Sequence, residues 1–145
     1  MALRIVPVRP DTVALWRDVH NLVIPAHPLS LDEVRERSQR NRLTLAHDGG
    51  TPVGNATIRP PGPGSRTATV IVRILPRYRR QGLGTQYLDA QLADARALGA
   101  QRIETVVLAA NRDGLEFARR HGFVEFDRYT LDGEDAEYVD LYLAS

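Results

Sequence analysis

The most suggestive stretch of the chain is a pair of arginines followed by two glycines, in Pro76-Arg77-Tyr78-Arg79-Arg80-Gln81-Gly82-Leu83-Gly84-Thr85. The spacing Arg79-x-x-Gly82-x-Gly84 removes side chains where a backbone must turn sharply or let a ligand come close. A helix that starts there leaves its first N–H groups without acceptors and places the positive end of its dipole behind them. With Arg79 and Arg80 alongside, such an entry suits a doubly charged phosphate group. The stretch lacks the Gly-Lys-Ser/Thr ending of a nucleotide-triphosphate loop and the third glycine of a dinucleotide fingerprint.

The elements on either side must hold that turn in place. Upstream, Thr67 to Leu75 is dense in β-branched and apolar residues, which predicts a central strand buried on both faces. Pro76 ends it, having no N–H for a ladder. Downstream, Leu88, Leu92 and Ala95 share one face of a helix that Gly99 stops. Arg102 to Leu108 is a second apolar strand, and a helix between two such strands predicts a crossover with the strands parallel. Asn111 is placed to cap the next helix, Asp113 suits its positive end, and Gly122 stops it after Arg119-Arg120-His121.

The rest of the chain supplies the frame. Leu3 to Val8 alternates as a first strand, and Leu15, Trp16, Val19, Leu22 and Val23 fall at helical spacing before Pro25 and Pro28. Ser30 and Glu33 form a capping box for a helix over about Leu31 to Arg40. Arg42 to His47 and Pro52 to Arg59 are strands joined by Asp48-Gly49-Gly50-Thr51, a hairpin signal. Pro60 to Ser65 is loop, and Phe123 to Leu131 and Glu137 to Leu143 are two final strands around Asp132-Gly133-Glu134-Asp135. The order β-α-α-β-β-β-α-β-α-β-β predicts a mixed sheet with helices on both faces, of the α/β or α+β class.

Composition narrows the chemistry. The chain has 145 residues, the length of one domain, and a net charge of +1, which argues against nucleic acid as the main partner. It has no cysteine, so disulfides, thiolate catalysis and cysteine-ligated zinc are excluded. No apolar run approaches a membrane span, and Met1-Ala2-Leu3-Arg4-Ile5 is too short an apolar stretch for a signal peptide. The expectation is a cytoplasmic protein with no membrane, nucleic-acid or metal partner.

The stretch Ile74 to Thr85 resembles the pyrophosphate-binding signature of the GNAT superfamily, the acyl-CoA-dependent N-acyltransferases, whose pattern is Gln/Arg-x-x-Gly-x-Gly/Ala. Asn111 to Phe123 is similar to that family's Asn-x-x-Ala-hydrophobic-x-hydrophobic-Tyr-x-x-x-Gly-Phe. The resemblance implies a single GNAT-like domain over residues 1–145, with a mostly antiparallel sheet of about seven strands whose central parallel pair is splayed. It also implies an enzyme that transfers acetyl from acetyl-CoA to a primary amine of a small molecule or peptide by direct attack in a ternary complex. The implied coenzyme contacts are the N–H groups from Arg80 through Gln81, Gly82, Leu83 and Gly84 to Thr85, with Arg79 and Arg80 adding charge. The backbone of Ile74 would pair with the pantetheine and polarise the thioester carbonyl, and Asn111 would hold the pantetheine arm. Pairing of two subunits through the C-terminal strands is a further implication.

The chain departs from the pattern where the acid and base are expected. Ala118 stands where many members carry the tyrosine that protonates the leaving thiolate. Thr67-Ala68-Thr69-Val70 holds no carboxylate, and Val106 sits where certain relatives have a glutamate. His27 and Glu104 are candidates for proton transfer, with His20, His47, Tyr129 and Tyr142 behind them. These departures leave open a module that binds acyl-CoA without turnover, and transfer of a longer acyl group.

Overall fold

Turn chemistry and alternation divide the chain into seven strands and four helices among the described residues, 3–144 of this computed structural model. Met1, Ala2 and Ser145 lie outside them. The strands are β1 (Leu3–Pro7), β2 (Arg42–Asp48), β3 (Thr51–Arg59), β4 (Thr67–Ile74), β5 (Arg102–Leu108), β6 (Phe123–Thr130) and β7 (Glu137–Leu143). The helices are α1 (Val13–Val23), α2 (Leu31–Arg40), α3 (Leu83–Ala97) and α4 (Arg112–Arg120), with a 3-10 turn at Pro76–Tyr78. The capping box forms: Ser30 Oγ accepts from the Glu33 N–H at 3.1 Å, and Glu33 Oε1 accepts from the Ser30 N–H at 3.0 Å.

The sheet order is β1-β2-β3-β4-β5-β7-β6, and every neighbouring pair is antiparallel except β4 and β5. That parallel ladder covers only Thr67–Thr69 against Arg102–Glu104, after which the strands part. Both keep their outer partners, β4 pairing β3 up to Ile74 and β5 pairing β7 up to Leu108. The result is a mixed α/β sheet with a splayed central pair.

Residues alternate between faces along each strand. On one face, Leu88, Leu92 and Ala95 of α3 and Leu115 and Ala118 of α4 pack on Ala68, Val70, Ile103, Val139 and Leu141. On the other, Val13, Trp16 and Val19 of α1 and Val34 of α2 pack on Leu43 and Leu45. The α3 helix buries a second strip as well, because it lies across the sheet. Tyr87 is fully buried on Ala46, Ala56 and Ile74, and its hydroxyl lies 2.6 Å from Thr44 Oγ1.

Several expectations change. Leu22 falls at helical spacing with the core residues of α1 yet is exposed, while His20 is buried in the same turn. The central strand ends at Ile74 rather than Leu75, and β6 ends at Thr130, leaving Leu131 exposed. The central strand is also not buried along both faces: Ile71 and Val72 are half-buried, because β5 diverges beside them.

His20 stacks on Trp16 with ring centres 5.7 Å apart, and its Nδ1 lies 3.0 Å from Asn21 Oδ1. Burial, with the charge of Arg73 second, pushes its pKa down to about 4. Between the ordinary histidine value and about 4, the unfolded chain takes up a proton that the fold does not. Stability therefore falls as pH drops from about 6.5 to about 4. Denaturation midpoints measured across that window should decline less steeply in His20→Phe than in the parent.

Candidate active site

The parting of β4 and β5 leaves a cavity of about 900 Å³. Val70–Ile74 and Thr105–Leu108 form its walls, the start of α3 and α4 one end, and Val23–Ala26 another. Backbone direction settles what these walls present. The Leu75 N–H donates to Val53 O at 2.8 Å, which makes Gly54–Ile74 a pair without mutual hydrogen bonds. The N–H and C=O of Ile74 therefore point away from β3 and into the gap, as do those of Val72 and Val70 by alternation. Likewise the Ala109 N–H donates to Glu137 O at 2.9 Å, so Leu108 and Val106 turn their backbone groups to the gap from the opposite side.

Two of these groups are taken locally. Arg79 Nε donates to Ile74 O at 2.9 Å, and the Asn111 N–H donates to Leu108 O at 2.9 Å. The Ile74 N–H remains aimed into the slot.

At the end of the slot the chain turns through Arg80, the one non-glycine residue among those described with positive φ, at 64°. Gly82 follows at 80°, as the residue before the first turn of α3. Positive φ values in such a turn bring successive N–H groups to one side, a concavity that fits anions. The Gln86 N–H bonds Gly82 O at 3.2 Å, so the N–H groups of Leu83, Gly84 and Thr85 precede the helical ladder. No acidic residue stands in this first turn.

The two glycines serve different needs. A Cβ on Gly82 would meet nothing within 4 Å, so its requirement is conformational. A Cβ on Gly84 would lie 3.0 Å from the Phe117 ring, so its requirement is the close approach of α4. Helices α3 and α4 are also tied by His121. Its Nδ1 donates to Phe117 O at 2.8 Å, and its Nε2 lies 2.9 Å from Thr85 Oγ1.

Of the residues expected to hold the coenzyme, Ile74, Arg79, Arg80, Gly82, Gly84, Thr85 and Asn111 line the cavity. Leu83 buries its side chain in the core beside Tyr87, leaving only its N–H for a ligand. Gln81 is exposed and outside the lining. Arg79 acts as a brace, with Nε on Ile74 O and Nη1 3.9 Å from Asp113 Oδ2. Asn111 Oδ1 accepts from the Gly114 N–H at 3.0 Å, the helix cap expected of it.

The proton-transfer candidates are more scattered. Glu104 lies where the β4–β5 ladder ends, bound to Arg102 Nε at 2.7 Å and outside the cavity lining. Tyr142 is opposite it, with the Arg102 guanidinium 4.5 Å from its ring centre. His47 sits at the bulge of the first hairpin, and His20 is buried within the last turn of α1; neither lines the cavity. His27 is not a solvated loop histidine. Its Nδ1 lies 3.3 Å from Glu134 Oε1 and its Nε2 3.4 Å from the Tyr138 hydroxyl, tying the α1–α2 connection to the β6–β7 turn.

Tyr129 donates to Asp140 Oδ1 at 2.9 Å, and its own ionisation is pushed up to about 12 by burial and then by Asp140. Asp140 is raised by burial and by the neighbouring charges of Glu104 and Asp127, more than its hydrogen bond from Tyr129 lowers it. Asp140 pairs across the ladder with Val106, which lines the cavity, so the two side chains share a face. Sequence pattern alone did not single out Asp140 or the buried Arg73, although an arginine inside the apolar run Val70–Leu75 is itself a signal.

The model of the Acetyltransferase (GNAT) family matches residues 11–123, and the chain belongs to that family. Its fold matches a candidate phosphinothricin N-acetyltransferase with a TM-score of 0.82 at 20% identity, over 99% of this chain and 100% of that one. It also matches yncA of Salmonella typhimurium, described as an acetyltransferase and solved with its cofactor acetyl-CoA (TM-score 0.76, 16% identity, 99% and 94% covered). A third is a ribosomal-protein-alanine N-acetyltransferase from Brucella melitensis (TM-score 0.75, 18% identity, 96% and 98% covered). At such identities the likenesses speak for the fold. A search of curated protein sequences gave no match.

Asn111→Ala removes the acceptor for the Gly114 N–H, at the end of a helix packed on the site. It should cost about 1 kcal/mol in urea denaturation, the usual worth of such a cap.

Proposed function

We propose that the chain is an acetyl-CoA-dependent N-acetyltransferase that acts on a primary amine by direct attack in a ternary complex. The observation that carries this is the open slot between β4 and β5, with the unpaired start of α3 at its end. Its residues fit the coenzyme: an extended arm can replace the missing strand against the Ile74 N–H, and a diphosphate fits the N–H groups of Leu83, Gly84 and Thr85 beside Arg80. When bound, acetyl-CoA supplies an activated acyl carbon and a thiolate leaving group.

The protein's own contribution is alignment and charge stabilisation. The Ile74 N–H is placed to donate to the acyl oxygen as negative charge develops there. Attack forms one C–N bond and breaks the C–S bond, and the amine must lose a proton while the thiolate gains one. Asp140, outside the cavity lining but cross-strand from the lining residue Val106 and on the same face of the sheet, has raised proton affinity and takes the amine proton through water. Ala118 lines the cavity where a thiolate-protonating tyrosine would stand, so water delivers that proton.

The same alanine favours a second reading, a domain that binds acyl-CoA without turnover. Thiol release from acetyl-CoA over a broad amine panel separates the two: binding with no release on any amine supports the module. The exposed edge strand β6, with Val124 and Phe126 outward, is where a second subunit would pair.

Gly82→Asp tests the coenzyme site with little risk to the fold, since there is open space at that position and the positive φ adds strain of only about 1–2 kcal/mol. A carboxylate there opposes a diphosphate, and such like-charge contacts cost several kcal/mol. Calorimetry should show acetyl-CoA affinity reduced by about 100-fold or more; unchanged affinity contradicts the placement. Asp140→Asn should lower kcat/KM by about 100-fold and remove the acidic limb of its pH profile, with coenzyme affinity intact.

A further inference from the structure

Arg73 is a buried cation without a counter-ion. It is 7% exposed, and in the fold no carboxylate pairs with it among the described residues. Its acceptors are two neutral oxygens, Asn55 Oδ1 and Thr57 Oγ1, each 3.3 Å from the same nitrogen, Nη1. Nε has no partner at all. The guanidinium carbon lies 5.5 Å from the Trp16 ring centre, and the indole Nε1 of Trp16 is itself a buried donor without an acceptor. Two orphaned donors thus belong to two side chains in contact.

Such groups are seldom left unpaired in folded proteins, because burial removes the water that would satisfy them. Burial, with smaller opposition from the charges of Arg37 and Arg59, pushes the guanidinium down to about 9, and it stays protonated at neutral pH. The ring of Trp16 compensates in part. A cavity-lining guanidinium with unused donors and no counter-ion matches a carboxylate.

Its position says what the anion belongs to. Arg73 lines the cavity beside Val23–Ala26 of the α1–α2 connection. It precedes Ile74, so its side chain leaves β4 on the opposite face from Ile74 and Val72, away from α3. Since Thr69 is opposite Glu104, that face also carries Glu104, Val106 and Asp140. Glu134 stands at the adjoining turn, bound to Tyr138 and His27. One side of the acceptor face is therefore basic and buried, and the other is acidic.

We infer that Arg73 forms a carboxylate subsite at the cavity wall, and that the acceptor is a free amino acid whose amine faces the acidic side. This rests on the acyltransferase reading above and adds the class of its acceptor. Arg73 binds and orients; the Ile74 N–H and Asp140 stay with the reaction.

The test compares each of the common L-amino acids with its carboxamide, by calorimetry on the full chain saturated with CoA. At least one acid should bind about tenfold or more tightly than its amide, the scale of a charge-assisted pair. Arg73→Met should bring that ratio close to one, and Arg73→Lys should keep part of it. Binding of no acid, equal binding of acids and amides, or an unchanged ratio in Arg73→Met each overturns the inference. Should the methionine variant fail to fold, the acid-to-amide ratio of the parent decides alone. Acetyl-CoA affinity measured without acceptor reports on the acyltransferase reading separately. Loss of coenzyme binding defeats that reading, whereas loss of acid selectivity defeats only the subsite.

Discussion

A parallel pair that stops after three residues sets the rest of this molecule in order. Beyond Thr69 and Glu104, β4 and β5 no longer satisfy each other, although each remains fully paired on its outer side. Backbone N–H and C=O groups must find partners, and a row of them facing a gap is an invitation to an extended ligand. The carbonyls at the two rims are closed by local donors, Arg79 on Ile74 and the Asn111 amide on Leu108. Those bonds use up acceptors the strands would need to zip together, so the slot is held open by the same residues that form its mouth.

The helices follow from that opening. Because the gap lies over the centre of the sheet, α3 and α4 must cover it from one face while leaving an entrance between their starts. Gly84 lets Phe117 approach, and His121 joins Phe117 to Thr85 across the two helices. The dipole of α3 then points at the entrance with no carboxylate in its first turn to cancel it. On the opposite face, the α1–α2 connection is fixed to the β6–β7 turn through His27, Glu134 and Tyr138.

What was legible in the sequence was local. The capping box at Ser30 and Glu33, the Asp48–Thr51 hairpin and the cap at Asn111 are set by nearest neighbours, and each formed where the residue types indicated. The Ile74–Thr85 turn was legible because glycine spacing and arginines act within one turn. What depended on distant partners was not. Leu22 carries the right type and spacing for a core residue, but no helix or strand covers it. The half-burial of Ile71 and Val72 follows from the divergence of a strand that enters the sequence a whole crossover later. Glu104 looked available as a base until Arg102, two residues away on the same face, took it. Arg73 drew no attention because its isolation from any carboxylate is a property of the packed fold.

The central claim is that backbone amides of one strand and one helix entrance receive the acyl donor. Amide hydrogen exchange, resolved by residue with and without acetyl-CoA, addresses those groups directly. The structure predicts slowed exchange at Val72, Ile74, Leu83, Gly84 and Thr85, with the outer β1–β2 ladder unchanged. Protection confined to other elements, with these five amides exchanging as before, would contradict it.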